Sequence, residues 1–308
     1  MRKKLKYLSA KVLIGEILVS EESKVLELAE EETDSVVTEY ATKSKFFLLS
    51  CIAPFKPLKV SPTSVVYAEL SPPEEFAVES FINKVKEVNI PRENRTLELL
   101  LHSYGGGVES AYMIAKALRK NFSKIRVYVP HVAASGATLI AISADEIIMG
   151  EISHLSPIDV IQVTRNGESI SLLAYLRGFL KLNEMFKTTR KEDIPYPYLS
   201  LIEDVNLSTF EEFSGVLNQV EGYATELMKN AGYKDEETIE ISERLVYGPL
   251  THSEVIDFEK AKEIGLKVKF YEEFRESWNV MRRWLGKYIL TESGMHHIKY
   301  VIPKGAEK

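Results

Sequence analysis

Between residues 64 and 150 short apolar runs alternate with amphipathic ones, and most junctions carry proline, glycine or a small polar residue. "SVVYAEL" (64–70), "TLELLLHS" (96–103), "KIRVYVPHV" (124–132) and "DEIIMG" (145–150) read as strands. "PPEEFAVESFINKVKEV" (72–88), "GGVESAYMIAKALRKNF" (106–122) and "SGATLIAISA" (135–144) read as helices, the first with proline and acidic residues in its opening turn. Strands this apolar need cover on both faces. Alternation of the two types predicts a mainly parallel sheet with right-handed crossovers.

Beyond about residue 165 the pattern turns helical, over 168–187, 198–231 and 236–246. A βα-like piece is expected over 254–286 and a closing strand at 295–302. Residues 20–45 are acidic and rich in Ser and Thr, which suggests a helix with a loop. Pro54, Pro57 and Pro62 crowd residues 53–63. The expected organisation is an N-terminal extension over 1–60 and one domain over 61–308, with a helical insertion at about 166–250.

Several classes are disfavoured. A formal net charge of −6 argues against a general nucleic-acid binder, whose footprint is a basic face. Cys51 is the single cysteine, so no intrachain disulfide forms, which fits a reducing compartment. Lys11 and Glu16 interrupt the apolar residues that a secretory leader would need. The strongest apolar run, "FFLLSCIAPF" (46–55), falls short of the roughly 20 residues of a spanning helix, leaving at most a peripheral membrane contact. No integral membrane segment is expected, and the protein is read as cytoplasmic. No cysteine pair or histidine spacing suggests zinc.

Two loops carry the candidate chemistry. "HSYGGGVES" (102–110) follows a strand and opens a helix, and its glycines let backbone N–H groups approach a ligand. "VPHVAASGATLIAISADEI" (129–147) places Ser135 among small residues at a strand-to-helix turn. A hydroxyl there sits where a helix start favours developing negative charge. Taken alone, such a serine reads first as a helix cap. The two loops together read differently. Both lie at the carboxyl ends of successive strands, where open α/β sheets bind ligands. One offers glycine N–H donors and the other a nucleophile, which are the parts acyl transfer needs.

These segments, with "SHLSPID" after them, resemble the serine dehydrogenase proteinase group, relatives of Clp protease and signal peptide peptidase A. The resemblance covers residues 62–165 well and 244–268 more loosely. It implies an α/β fold of the ClpP/crotonase-like type, a spiral of ββα units with a mainly parallel sheet plus helical insertions. The family's nucleophile falls on Ser135 and its glycine pair on Gly105 and Gly106. The implied oxyanion donors are the N–H groups of Gly106 and Gly136, with Gly105 and Gly107 against substrate. An acidic triad member falls on Asp159 and a histidine on His252. The pattern departs at Tyr104, where the family often has proline, and at the extra Gly107.

The resemblance thus implies an ATP-independent serine endopeptidase acting on protein or peptide substrates, a homo-oligomer that needs no cofactor. The base stays open among several groups. His131 and His154 lie near the two key segments, and each also reads as a histidine hydrogen-bonded to backbone. A Ser-Lys pair of the signal peptide peptidase A type would use Lys181, provided that burial lowers its pKa. A crotonase-type acyl-CoA enzyme and an inactive Clp-fold scaffold are the remaining alternatives.

Overall fold

The computed structural model describes residues 30–31, 34–61, 64–163, 169–203, 207–249, 251 and 253–303. Along the chain, β1 (Glu30–Glu31) and α1 (Ser35–Ser44) precede β2 (Phe47–Ile52), and a hairpin of β3 (Leu58–Ser61) and β4 (Ser64–Val66) follows. Helix and strand then alternate through α2 (Pro72–Glu87), β5 (Thr96–His102), α3 (Val108–Asn121), β6 (Lys124–Val129), β7 (Val132–Ala133), α4 (Gly136–Ile142) and β8 (Glu146–Met149). Next come β9 (His154–Leu155) and a hairpin of β10 (Ile161–Val163) and β11 (Ser169–Ser171). A helical stretch holds α5 (Leu172–Phe186), α6 (Tyr198–Glu203), α7 (Leu207–Asn230) and α8 (Asp235–Val246). The chain ends with α9 (Phe258–Ile264), β12 (Val268–Phe270), α10 (Arg275–Tyr288) and β13 (His297–Val301).

The central sheet has the order β1-β13-β2-β5-β6-β8-β12. Strands β2, β5, β6, β8 and β12 run parallel, while β13 runs antiparallel to β2. This is the mixed α/β fold with a mainly parallel sheet that the alternation predicts. Strand β5 is buried from Leu97 to His102, as a strand covered on both faces must be. Its side chains alternate between two cores. Leu97, Leu99 and Leu101 join the core under α2, α3, α4 and α7, and Leu100 joins the one under α1 and α10. Trp278, Met281, Trp284 and Leu285 repeat at helical spacing and supply the second core from α10.

Two expectations are corrected here. The run Phe46–Phe55 is no membrane contact over most of its length. Phe47–Ile52 forms β2, fully buried between β5 and β13. It also ties the stretch read as an N-terminal extension (1–60) into the sheet of the domain. Residues 64–70 do not form a sheet strand either. Only Ser64–Val66 is a strand, paired outside the central sheet with Leu58–Ser61. Strand β2 holds the place beside β5, and the stretch after β4 runs on to Leu70, whose backbone pairs with Gly106.

The helical stretch packs onto the same chain. Helix α7 buries Phe213, Leu217, Val220, Ala224, Leu227 and Met228. Tyr223 stacks on Tyr112 of α3 with ring centroids 4.0 Å apart, and the Tyr112 hydroxyl donates to Glu226 at 2.8 Å. Helix α7 therefore forms a wall above α3 and α4. Among the described residues no helix is long and apolar enough to cross a membrane.

Candidate active site

Strand β5 ends at His102, and the chain turns through Ser103, Tyr104 and three glycines into α3. Gly105 and Gly106 have φ of +105° and +137°, values that side chains with a Cβ adopt only under strain. Space demands glycine here as well. A Cβ on Gly106 would lie 2.1 Å from the Leu70 nitrogen, and one on Gly105 would lie 2.8 Å from both Ala134 O and Ser135 Cβ. The glycine loop is thus pressed between Leu70 and the Ser135 loop.

Leu70 fixes the loop's orientation. Its N–H donates to Gly105 O at 2.8 Å, and its carbonyl accepts the Gly107 N–H at 2.7 Å. In a trans peptide the C=O and the following N–H point in opposite directions. The Gly106 N–H therefore points away from Leu70, and among the described residues no acceptor is assigned to it. The Gly136 N–H is equally unused, as expected for the first residue of a helix.

Ser135 directly precedes Gly136 and packs against Gly105 of the glycine loop. Its φ of +51° and ψ of −118° are unusual for a residue with a Cβ, and its side chain does not cap α4. Such conformations persist only where neighbours over-determine them. Here the Ser135 N–H donates to Ser156 Oγ at 2.8 Å, and Ser156 Oγ donates to Pro157 O at 3.0 Å. Thr138 Oγ1, one turn into α4, ties Ala133 O and Ser156 O together at 2.8 Å each. The serine is therefore a strained residue at a helix start with its hydroxyl left over, rather than a cap.

Ser135, Gly106, Gly107, Tyr104 and Asp159 line one cavity of about 520 Å³, walled on the other side by Val216, Val220 and Tyr223 of α7. Tyr104 and Glu69 continue into a second cavity of about 350 Å³ with Phe55, Tyr67 and Gly105. The two share Gly106, so open space lies on both sides of that residue. Among the described lining residues of the larger cavity, Glu69, Glu109 and Asp159 are acidic and none is basic.

This is a positive-φ serine at a strand-to-helix turn, directly before one N–H and packed against a glycine loop that carries another, neither with an acceptor among the described residues. Residues 78–183 match the ClpP-like SDH-type serine proteinase family. The matched stretch holds the glycine loop, Ser135 and Asp159, so the family resemblance read from those residues is borne out. Two uncharacterized proteins of Methanocaldococcus jannaschii are also similar. One is 32% identical over 184 residues, which is 60% of this chain and 57% of that protein. The other is 29% identical over 184 residues, 60% of this chain and 56% of that protein. The chain spans less than two thirds of either relative's length. Among solved structures, two mutants of the 1510-N membrane-bound stomatin-specific protease have TM-scores of 0.43 at 15% and 16% identity. Each match covers 68% of this chain, with 80% and 74% of the other chains. An enoyl-CoA hydratase from Mycobacterium avium subsp. paratuberculosis K-10 has a TM-score of 0.32 at 13% identity, covering 77% of this chain and 78% of its own.

The other residues that the resemblance assigns to the site are unevenly placed. Asp159 is buried in the cavity wall, on the segment that also holds Ser135 through Ser156. His252 lies outside the described residues. Its surroundings are anchored on both flanks: the Ile158 N–H donates to Leu245 O at 3.0 Å, and Leu155 and Ile256 exchange backbone hydrogen bonds of 2.8 and 3.0 Å. Arg177 of α5 holds the stretch between them, donating to Tyr247 O and Pro249 O. Lys181 lies exposed on α5 and is not among the cavity residues, so the burial that a lysine base requires is missing. His131 faces His102 and His154, with its Nδ1 3.2 Å from His102 Nε2. Leu70 and Ser156 went unnoticed in the sequence because they act through backbone groups or a plain hydroxyl, which leave no motif.

Proposed function

We propose that this protein is a serine peptidase, ATP-independent, in which the Ser135 hydroxyl attacks the carbonyl carbon of a peptide bond. The Gly106 and Gly136 N–H groups receive the oxyanion that forms. His252 takes the Ser135 proton and returns it to the leaving amine, and Asp159 orients the imidazole and stabilises its charged form. What carries the reading is the juxtaposition around Ser135. A positive-φ serine at a helix start, packed directly against a glycine loop, shares a cavity with Gly106, whose N–H has no acceptor among the described residues. Each such donor is worth about 10²–10³ in kcat where it has been removed from serine proteases. The anchoring of residues 245 and 256 to the Asp159 segment supports His252 over Lys181 as the base. The acidic residues among the described lining of the larger cavity disfavour an acyl-CoA substrate, whose phosphates need cations.

A fluorophosphonate probe tests the reading. The native protein is expected to label, and Ser135→Ala is expected to lose all labelling while keeping its thermal midpoint. His252→Ala is expected to slow labelling by orders of magnitude and Lys181→Ala to leave it unchanged. Labelling that survives in Ser135→Ala, or none in the folded native protein, refutes the assignment.

A further inference from the structure

Beneath the glycine loop, three polar side chains from distant parts of the chain meet in the interior. Ser103 ends the approach from β5, His296 directly precedes β13, and Glu74 lies in the first turn of α2. Their relative exposures are 0%, 1% and 2%. His296 Nε2 lies 2.8 Å from Ser103 Oγ, and its Nδ1 lies 3.2 Å from Glu74 Oε1. Glu74 is held in turn by the His296 backbone N–H at 3.3 Å and the Ser71 hydroxyl at 2.6 Å. Burial alone would push the Glu74 carboxyl up, but the His296 and Ser71 hydrogen bonds bring it below its ordinary value.

The order serine, histidine, carboxylate is that of a catalytic triad, yet none of the three lines either cavity around Gly106. A nucleophile so enclosed cannot meet a substrate. Apolar residues would fill the same space without desolvating polar groups. What the polar set adds is direction. The ionised Glu74 only accepts, so His296 Nδ1 carries a proton, and in the neutral imidazole Nε2 then accepts the Ser103 O–H. With its hydroxyl so aimed, Ser103 Oγ accepts the Gly105 N–H at 3.1 Å. The other side of Gly105 is already held, since its carbonyl accepts the Leu70 N–H. Ser103 also meets the nucleophile loop: its carbonyl accepts the Ala134 N–H at 2.9 Å, and its N–H donates to Val132 O at 3.0 Å.

We propose that Glu74, His296 and Ser103 form a buried relay that clamps the Tyr104–Gly105 peptide on one side of Gly105, as Leu70 holds the Gly105–Gly106 peptide on the other, and thereby helps aim the Gly106 N–H into the cavity. This rests on the reading above, in which that N–H receives the oxyanion. Two successive glycines at positive φ have little intrinsic preference for one peptide orientation. The relay supplies that preference from the core side, as Leu70 does from the other. Its members are positioning residues, acting through Gly105 and touching no substrate.

The test compares Ser103→Ala, Ser103→Thr and Glu74→Gln with the native protein. Loss of aim approximates loss of one oxyanion donor, so Ser103→Ala is expected to lower kcat on a peptide substrate about 10²-fold. KM is expected to stay within about twofold, because ground-state binding is untouched. Ser103→Thr, which keeps the hydroxyl, is expected to recover most of the rate. A second readout needs no activity: amide exchange at Gly105 and Gly106 in protein labelled with ¹⁵N-glycine. The Gly105 amide is expected to exchange faster in Ser103→Ala and Glu74→Gln, with remote glycines unchanged. Unaltered Gly105 exchange in both variants, or a native kcat in Ser103→Ala, overturns the proposal. Absence of Ser135-dependent labelling in the native protein would sink the peptidase reading instead, and the exchange data would still decide whether the relay clamps the loop.

Discussion

Gly105 packs directly against the nucleophile loop, and Gly105→Ala tests whether that contact positions the nucleophile. The added Cβ would sit 2.8 Å from Ser135 Cβ and 2.8 Å from Ala134 O. Neither neighbour is the free end of a flexible side chain. Ala134 O accepts the Ala137 N–H at 2.9 Å in the first turn of α4. Carbon pairs rest at about 3.5–4.0 Å, so Ser135 must retreat by about 1 Å. Holding alanine at φ +105° costs about 1–2 kcal/mol, and overpacking adds about 1–3 kcal/mol. The expected loss of folding stability is about 2–5 kcal/mol, to be read from urea titration. A misplacement of 1 Å costs about 10²-fold in rate, so fluorophosphonate labelling of the folded variant should slow by that order. Gly222→Ala is the control. It lies in α7 with no atom within 4 Å of the added Cβ, and there alanine should raise stability by about 0.5–1 kcal/mol. A folded Gly105→Ala protein that labels at the native rate would refute the idea that loop contact sets the Ser135 position.

Two further outcomes follow from groups around the site. Ser156→Ala removes the acceptor of the Ser135 N–H, so stability should fall by about 1–3 kcal/mol and labelling should slow; equal unfolding midpoints would contradict this. Burial, which outweighs the hydrogen bond to Ala53 O, lowers the His102 pKa from 6.5 to about 4, and that gap is worth about 3 kcal/mol. The unfolded chain takes up this proton as pH falls through 6.5 and the folded chain only near 4, so stability should decline across that window and level off below it. Urea titrations from pH 7.5 to 4 should show a shallower decline for His102→Gln, and parallel curves would rule His102 out as the source.

The alternation from β5 to β8 was legible almost to the residue, because each strand is apolar on both faces and each junction carries glycine, proline or a helix-starting residue. Thr96–His102 and Val108–Asn121 fall within the stretches 96–103 and 106–122. The helices after residue 165 were legible for a similar reason, since an apolar stripe at helical spacing needs no partner to be seen, but Ser169–Ser171 at the head of the stretch 168–187 is a strand paired with β10. Strand β2 was not. A continuous apolar run has no periodicity to separate strand from buried helix, and the partners of β2 lie far along the chain in β5 and β13. The segment 64–70 failed for the opposite reason. It is rich in β-branched residues, yet its pairing is decided by which strand occupies the place beside β5, a tertiary matter. At the site, Ser135 and the glycines were visible because their constraints are local. Leu70 works through backbone groups that any residue supplies, and Glu74, Ser103 and His296 meet only once the sheet has formed.

The segment Leu155–Asp159 gives the site its unity. Ser156 accepts the Ser135 N–H, and Thr138 in α4 reaches back to the Ser156 carbonyl. Leu155 and Ile158 bind the backbone of Ile256 and Leu245, the two flanks of the stretch that contains His252. Asp159 follows directly, buried beside the same cavity. Nucleophile, acid and the stretch carrying the proposed base thus hang from five consecutive residues. A shift of this segment would move Ser135 and the flanks of His252 together, preserving their spacing better than independent loops would. It would move them against the glycine loop, which Leu70 holds on one side and Ser103 ties to Ala134 on the other. The vulnerable distance in this site is therefore the one between Ser135 and Gly106, and the contact that guards it is Gly105 packed against Ser135 and Ala134.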